Sequence, residues 1–196
     1  MNINALTYKP LTTNTYKMKS SLSIKKLYKF FEMYGRGRNE KALHLRTFQD
    51  SLSAVTRGCG LRVMEDAEGN LLAGYTYKMR KNKLEEKSMY IDGLARNLSE
   101  DKKEITKGIM TSVYEDIKQL AQKKKAREIT LFVYAGERGL KKNYQRLGFY
   151  EDPKCNINKV YLMRVRTKDF INNLYFKCRK YKEALNIKSI IQQLTK

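Results

Sequence analysis

The stretch from Arg127 to Asp152, REITLFVYAGERGLKKNYQRLGFYED, constrains the fold more than any other part of the chain. Ile129 to Ala135 is an almost unbroken run of apolar, β-branched and aromatic residues, the pattern of a strand buried on both faces of a partly parallel sheet. Gly136 and Gly139 interrupt it. Leu140, Tyr144 and Leu147 then recur at helical spacing until Gly148, a residue type favoured just past a helix end. A central strand followed by a short helix returns Tyr144 toward the strand's C-terminal end, where ligands sit in open α/β sheets.

The 196 residues suit one domain of moderate size with a real core and room for an appendage. No apolar run approaches the roughly 18 residues of a membrane span, and the opening MNINALTYKPL lacks a signal peptide's apolar centre. A cytoplasmic protein without a membrane partner is expected. Cys59, Cys155 and Cys178 are scattered, with no C-x-x-C pair, which suits reduced thiols. His44 is the single histidine, so neither a metal site nor a Ser-His-Asp mechanism is expected. Lys plus Arg number 41 against 20 Asp plus Glu, a balance that favours anionic partners such as phosphate-rich cofactors or nucleic acid over cationic ones. A solubilising lysine-rich surface accounts for the same excess.

Taken in order, Ile3 to Leu11 alternates weakly and predicts a short edge strand, and the polar Thr12 to Ser20 predicts a loop. Leu22, Ile24, Leu27, Phe30, Phe31 and Tyr34 predict an amphipathic helix over 21–34, closed by Gly35, with Lys25, Lys26 and Lys29 outward. The loop GRGRN follows, then a second helical pattern up to Val55 and Gly58. Leu61 to Met64, Leu71 to Met79 and Ser88 to Arg96 predict a β-meander. A helix over 101–124 places Ile105, Ile109, Val113, Ile117 and Leu120 on one face, widened by Met110, Tyr114 and Ala121. With the flanking strands it makes a right-handed parallel βαβ unit. Val160 to Val165 predicts a last antiparallel strand, and Phe170, Ile171, Leu174, Tyr175, Cys178 and Tyr181 open a helical, basic tail.

The order strand, short helix, N-Y-Q-R-L-G-F resembles the C-terminal signature of the GNAT acyltransferase superfamily, commonly Y-x-x-x-G-F, with Tyr144, Gly148 and Phe149 on its positions. The resemblance spans residues 3 to 166. It implies an α/β three-layer sandwich around a mixed, mostly antiparallel sheet, a GNAT-like domain over 1–166 and a helical extension over 167–196. It also implies acetyl-CoA, or another acyl-CoA, as the acyl donor. By resemblance Leu94, Ala95 and Arg96 hold the pantetheine and thioester carbonyl, and Tyr144 protonates the departing thiolate. The pyrophosphate cradle, Q/R-x-x-G-x-G/A in the family, aligns with I-T-K-G-I-M, so Lys107, Gly108, Ile109, Met110 and Thr111 are the expected contacts. Only Gly108 keeps a signature position; Ile105 and Met110 replace the other two, and a Met side chain intrudes where backbone would approach phosphate.

Two carboxylates are candidate bases for an incoming ammonium. Asp92 lies within a predicted central strand, where an unpaired carboxylate costs several kcal/mol, so it needs either a partner or a task. Strict alternation puts Tyr90, Asp92, Leu94 and Arg96 on one face and Met89, Ile91, Gly93 and Ala95 on the other. Glu137 stands where the family often has an Asn, and serves as base or as a negative charge at the short helix's N-terminus. The expected reaction is direct attack of a primary amine on the thioester, with a protein amine or an aminoacyl-tRNA favoured by the basic surface. The rival reading is a non-catalytic nucleic-acid- or ribosome-binding protein, the tail's Lys168, Lys177, Arg179, Lys180 and Lys182 tracking phosphates. The tail equally suits a helical pair that closes over the sheet or makes a homodimer.

Overall fold

The computed structural model describes residues 16–21, 23–35, 51–82, 84–99, 108–134, 138–153, 160–172 and 176–177. Seven strands form one sheet in the order β1-β2-β3-β4-β5-β7-β6. They are β1 Lys19–Ser21, β2 Gly60–Glu65, β3 Leu71–Lys81, β4 Lys87–Arg96, β5 Glu128–Tyr134, β6 Tyr150–Glu151 and β7 Val160–Arg166. Every neighbouring pair is antiparallel except β4 and β5, which run parallel. The long crossover between these two carries helix α2, Met110–Lys123. Helix α1, Ile24–Gly35, lies on the opposite face of the sheet, and α3, Arg138–Arg146, lies with α2. The expected three-layer α/β architecture is therefore present.

Two apolar clusters hold the layers together. The larger joins Met64, Leu72, Tyr75, Met89, Ile91, Ile129, Leu131 and Val133 of the sheet to Val113, Ile117 and Ala121 of α2 and to Tyr144 and Leu147. The smaller joins Leu27, Phe30, Phe31 and Met33 to Leu61, Val63 and Leu71. Phe30 rests directly on backbone: a Cβ on Gly74 would stand 2.8 Å from the Arg62 carbonyl and 3.2 Å from the Phe30 ring, and one on Gly93 would stand 3.2 Å from that ring. The two glycines let α1 approach the sheet closely at this point.

Several expectations are corrected. The loop expected over 12–20 ends in β1, whose Lys19 and Ser20 pair with Val63 and Arg62; three polar residues carry no apolar alternation to reveal a strand. The strand expected over 3–11, the GRGRN loop and the helical pattern before residue 51 lie outside the described residues, although 51–56 are helical. Ile24 is exposed rather than part of α1's apolar face. The helix expected from residue 101 begins at Met110, because Gly108 turns the chain at φ +82°, while 100–107 lie outside the described residues. β5 is buried on both faces only over its first half: Ile129, Leu131 and Val133 point inward and Thr130 is buried on the other side, but Phe132 is 45% and Tyr134 52% exposed. Leu140, expected inside with Tyr144 and Leu147, is exposed. Residues 167–171 form turns instead of a helix, yet Phe170, Ile171 and Phe176 are buried in the larger cluster, so the core extends past residue 166. The rest of the tail lies outside the described residues.

Candidate functional site

The middle of β4 breaks its own alternation. Tyr77 of β3 faces Ile91 while Thr76 faces Gly93, so Asp92 has no partner across the ladder and forms a β-bulge. A bulge inserts one residue, bends the strand and reverses the facing of all that follows. Met89 and Ile91 accordingly share the larger cluster with Leu94, while Gly93 and Ala95 turn to the α1 side. The expected grouping of Leu94 with Tyr90 and Asp92 is thus incorrect, and the extra residue is the reason.

The bulge coincides with a parting of strands. β4 pairs with β5 at Ser88↔Glu128, Met89↔Ile129, Tyr90↔Thr130 and Ile91↔Leu131, and the pairing ends there. β4 nevertheless continues to Arg96 and β5 to Tyr134. The two strands form a fork opening from Asp92 and Phe132. Leu94, Ala95 and Arg96 lie on the free limb of β4, held on their other side by Tyr75, Gly74 and Ala73 of β3. Beyond Ile91↔Leu131 the β5 edge of this limb has no partner in the parallel ladder at Leu94 among the described residues.

The start of α2 lies in the crossover between β4 and β5. Its N-cap residue is Ile109, no side chain caps it and no acidic residue lies in its first turn. Gly108, at positive φ, accepts from the Thr111 amide through its carbonyl at 3.0 Å. An uncapped helix start with no compensating carboxylate suits an anion, because N–H groups and the positive end of the dipole face outward there. Ile109 and Thr111 are buried, and Met110 packs its side chain against the larger cluster. That packing turns the methionine inward, which answers the steric objection raised by its place in the cradle. The residues fit a pyrophosphate group through their backbone. Lys107 and Glu137 lie outside the described residues.

Tyr144 is buried in the larger cluster, its ring edge-on to Phe149 at 5.6 Å, with Phe149 in turn edge-on to Phe170 at 5.5 Å. Gly148, at φ +99°, makes the corner that lets Phe149 fold back: the Phe149 amide donates to the Tyr144 carbonyl at 3.1 Å. This corner is the local origin of the Y-x-x-x-G-F spacing.

Asp92 has a partner. Its carboxylate accepts from the Arg57 guanidinium at 3.0 Å, and Arg57 also donates through Nε to the Ser53 carbonyl at 3.0 Å. Sequence reasoning missed Arg57; the signal was the strand carboxylate itself, which demands a counter-charge. Burial, and then the charge of Asp92, push the Tyr90 phenol well above its ordinary range, against the lowering by Arg80 and Arg57. The half-buried Cys59 thiol is raised by burial first and by Asp92 second. Cys59 also lines a cleft of about 490 Å³ with Ser21, Leu27, Tyr77, Lys78 and Lys124, which shares no residue with the fork. No cluster of metal-ligating side chains occurs among the described residues.

No protein-family model matches the chain, and no curated protein matches it significantly in sequence. Solved structures do match it. Mutant forms of the spermidine/spermine N-acetyltransferase SpeG from Vibrio cholerae share 15% identity and a TM-score of 0.53, covering 80% of this chain and 98% of theirs. The PaiA N-acetyltransferase from Thermoplasma acidophilum, solved in complex with coenzyme A, shares 15% identity and a TM-score of 0.53 over 76% of this chain and 99% of its own. An acetyltransferase from Streptococcus agalactiae reaches a TM-score of 0.54 at 9% identity, over 78% of this chain and 99% of its own. The fold is that of the GNAT acetyltransferases.

Proposed function

We propose that the chain is an N-acyltransferase of the GNAT type, moving an acetyl or related acyl group from acyl-CoA to a primary amine. The observation that carries this reading is the fork: a parallel ladder that stops at Ile91↔Leu131 while both strands run on, opened by the bulge at Asp92. The coenzyme A complex of a protein with the same fold supports the choice of donor.

When bound, acyl-CoA supplies an electrophilic thioester carbonyl and a thiolate leaving group. The Leu94 amide, on the edge of the limb turned away from β3, steadies the carbonyl oxygen as negative charge develops on it. The uncapped start of α2, from Gly108 to Thr111, receives the pyrophosphate, with Arg96 and Lys107 adding positive charge. The amine nitrogen forms the new C–N bond, the C–S bond breaks, and the Tyr144 phenol gives its proton to the sulfur. Asp92 takes the surplus ammonium proton, directly or through water; Glu137 is the alternative base.

Two measurements test this. Coenzyme A at about 100 times its dissociation constant should stabilise the protein by roughly 2.7 kcal/mol, and no shift in melting temperature at millimolar coenzyme A would overturn the reading. Tyr144→Phe should slow thiol release with a panel of amines by about a hundredfold while leaving coenzyme A affinity unchanged. An unaltered rate would remove the acid role.

A further inference from the structure

We propose that the sheet face running from Tyr90 through Phe132 to Tyr134 is a binding surface for single-stranded nucleic acid. α1 and the helical segment 51–56 cover the β2–β4 part of this face, and no described helix covers its continuation over β5 and β7. Phe132 and Tyr134 stand two residues apart on β5, hence on the same side, and are about half exposed. Tyr90, one strand over, meets Phe132 edge-on with centroids 5.7 Å apart, and the Arg80 guanidinium lies 4.0 Å from the Tyr90 ring centre. The result is a pair of half-exposed β5 rings about 6.6 Å apart, backed by the buried Tyr90 with its stacked arginine.

The charges around this row identify the occupant. Each carboxylate on the face is already held: Asp92 by Arg57 at 3.0 Å, and Glu128 and Asp152 by Arg164 at 3.5 and 2.7 Å. Lys78, directly opposite Tyr90 in the ladder, and Arg80 make no ion pair among the described residues. The free charge on the face is thus positive, beside exposed aromatic rings. A polyamine finds no free carboxylate here, and an acidic peptide gains nothing from a ring ladder. Unstacked bases do: each lays its π-face on a side-chain ring while its phosphate meets a cation. A duplex, with its bases turned inward, cannot use the rings. This surface does not depend on acyl transfer.

The test measures anisotropy of a labelled single-stranded RNA of about 12 nucleotides with the full chain, against inorganic polyphosphate as a competitor that has charge but no bases. Phe132→Ala with Tyr134→Ala should weaken RNA binding about tenfold or more and leave polyphosphate binding unchanged, measured well below the melting temperature because both rings are only about half exposed. Lys78→Gln with Arg80→Gln should reduce the slope of log affinity against log salt by about 1.4, at 0.7 per phosphate. RNA affinity that is absent, or untouched by loss of the two rings, or lost in parallel with polyphosphate affinity, overturns the proposal. RNA binding without a coenzyme A shift leaves this surface standing and removes the acyltransferase reading; the reverse removes only this one.

Discussion

Two arginine–aspartate pairs, each beside a tyrosine, lie on opposite faces of the sheet and behave differently. On the α2 side, Asp116 accepts from Arg62 through both oxygens and from the Tyr75 hydroxyl at 2.6 Å, while Arg62 also reaches the Ser20 hydroxyl at 3.0 Å. Tyr75 is completely buried, and side chains of Arg62 and Asp116 are 18% and 13% exposed. On the α1 side, Asp92 holds Arg57 by one guanidinium nitrogen, and Arg57 is 41% exposed. Tyr90 is raised by burial first and by the Asp92 charge second, with a hydrogen bond to Asp92 contributing least. The same chemical trio is a sealed brace in one place and a partly solvated, adjustable contact in the other. The adjustable one sits on the bulge that opens the fork.

The largest effect expected from this contrast is on stability. Asp116→Ala strands a buried arginine and a buried phenol, and should cost about 3–5 kcal/mol in denaturant unfolding. A loss below about 1 kcal/mol would mean the brace is not sealed. Alkaline titration comes next. Tyr75 is raised above its ordinary value by burial first and by Asp116 second. A raised phenol contributes stability fully below the unfolded value of about 10; above it the unfolded chain gives up a proton that the fold retains. Stability should then fall by about 1.4 kcal/mol per pH unit for this group, and Tyr75→Phe should remove that slope from unfolding curves taken above pH 10.

On the adjustable side the numbers shrink. Arg57→Ala should cost about 1 kcal/mol or less, as for a half-exposed ion pair, and a cost like that of Asp116→Ala would erase the distinction. The smallest effect is chemical. Asp92 helps to hold the Cys59 thiol up, so Asp92→Asn should speed reaction of Cys59 with a disulfide reagent at pH 8, measured with Cys155 and Cys178 replaced by serine. An unchanged rate would show that the carboxylate charge does not reach the thiol.

The meander, the crossover and the strand–helix corner at Tyr144 were legible because each leaves a periodic apolar trace with a glycine at its end. The bulge was not. Alternation along M-Y-I-D-G-L-A-R looks regular, and only the opposing strand reveals that Asp92 is one residue too many. Arg57 lies 35 positions from Asp92, and Arg62 lies 54 from Asp116, so neither pairing leaves a local signal. The exposed Phe132 and Tyr134 were misread for a related reason: an apolar run records what a strand is made of and leaves open whether a layer covers it.

The parallel ladder has one more consequence. Its four paired positions, together with the Arg127 amide that donates to the Lys87 carbonyl at 2.8 Å, make the backbone seam between the N-terminal four strands and the C-terminal three among the described residues. Two half-sheets hinged on so short a join can breathe against each other from the fork downward, and whatever fills the gap acts as a rivet through both. Occupancy at the fork therefore sets the stiffness of the entire sheet, and amides far from the contact, on β2 as much as on β7, would register it as slowed exchange with solvent.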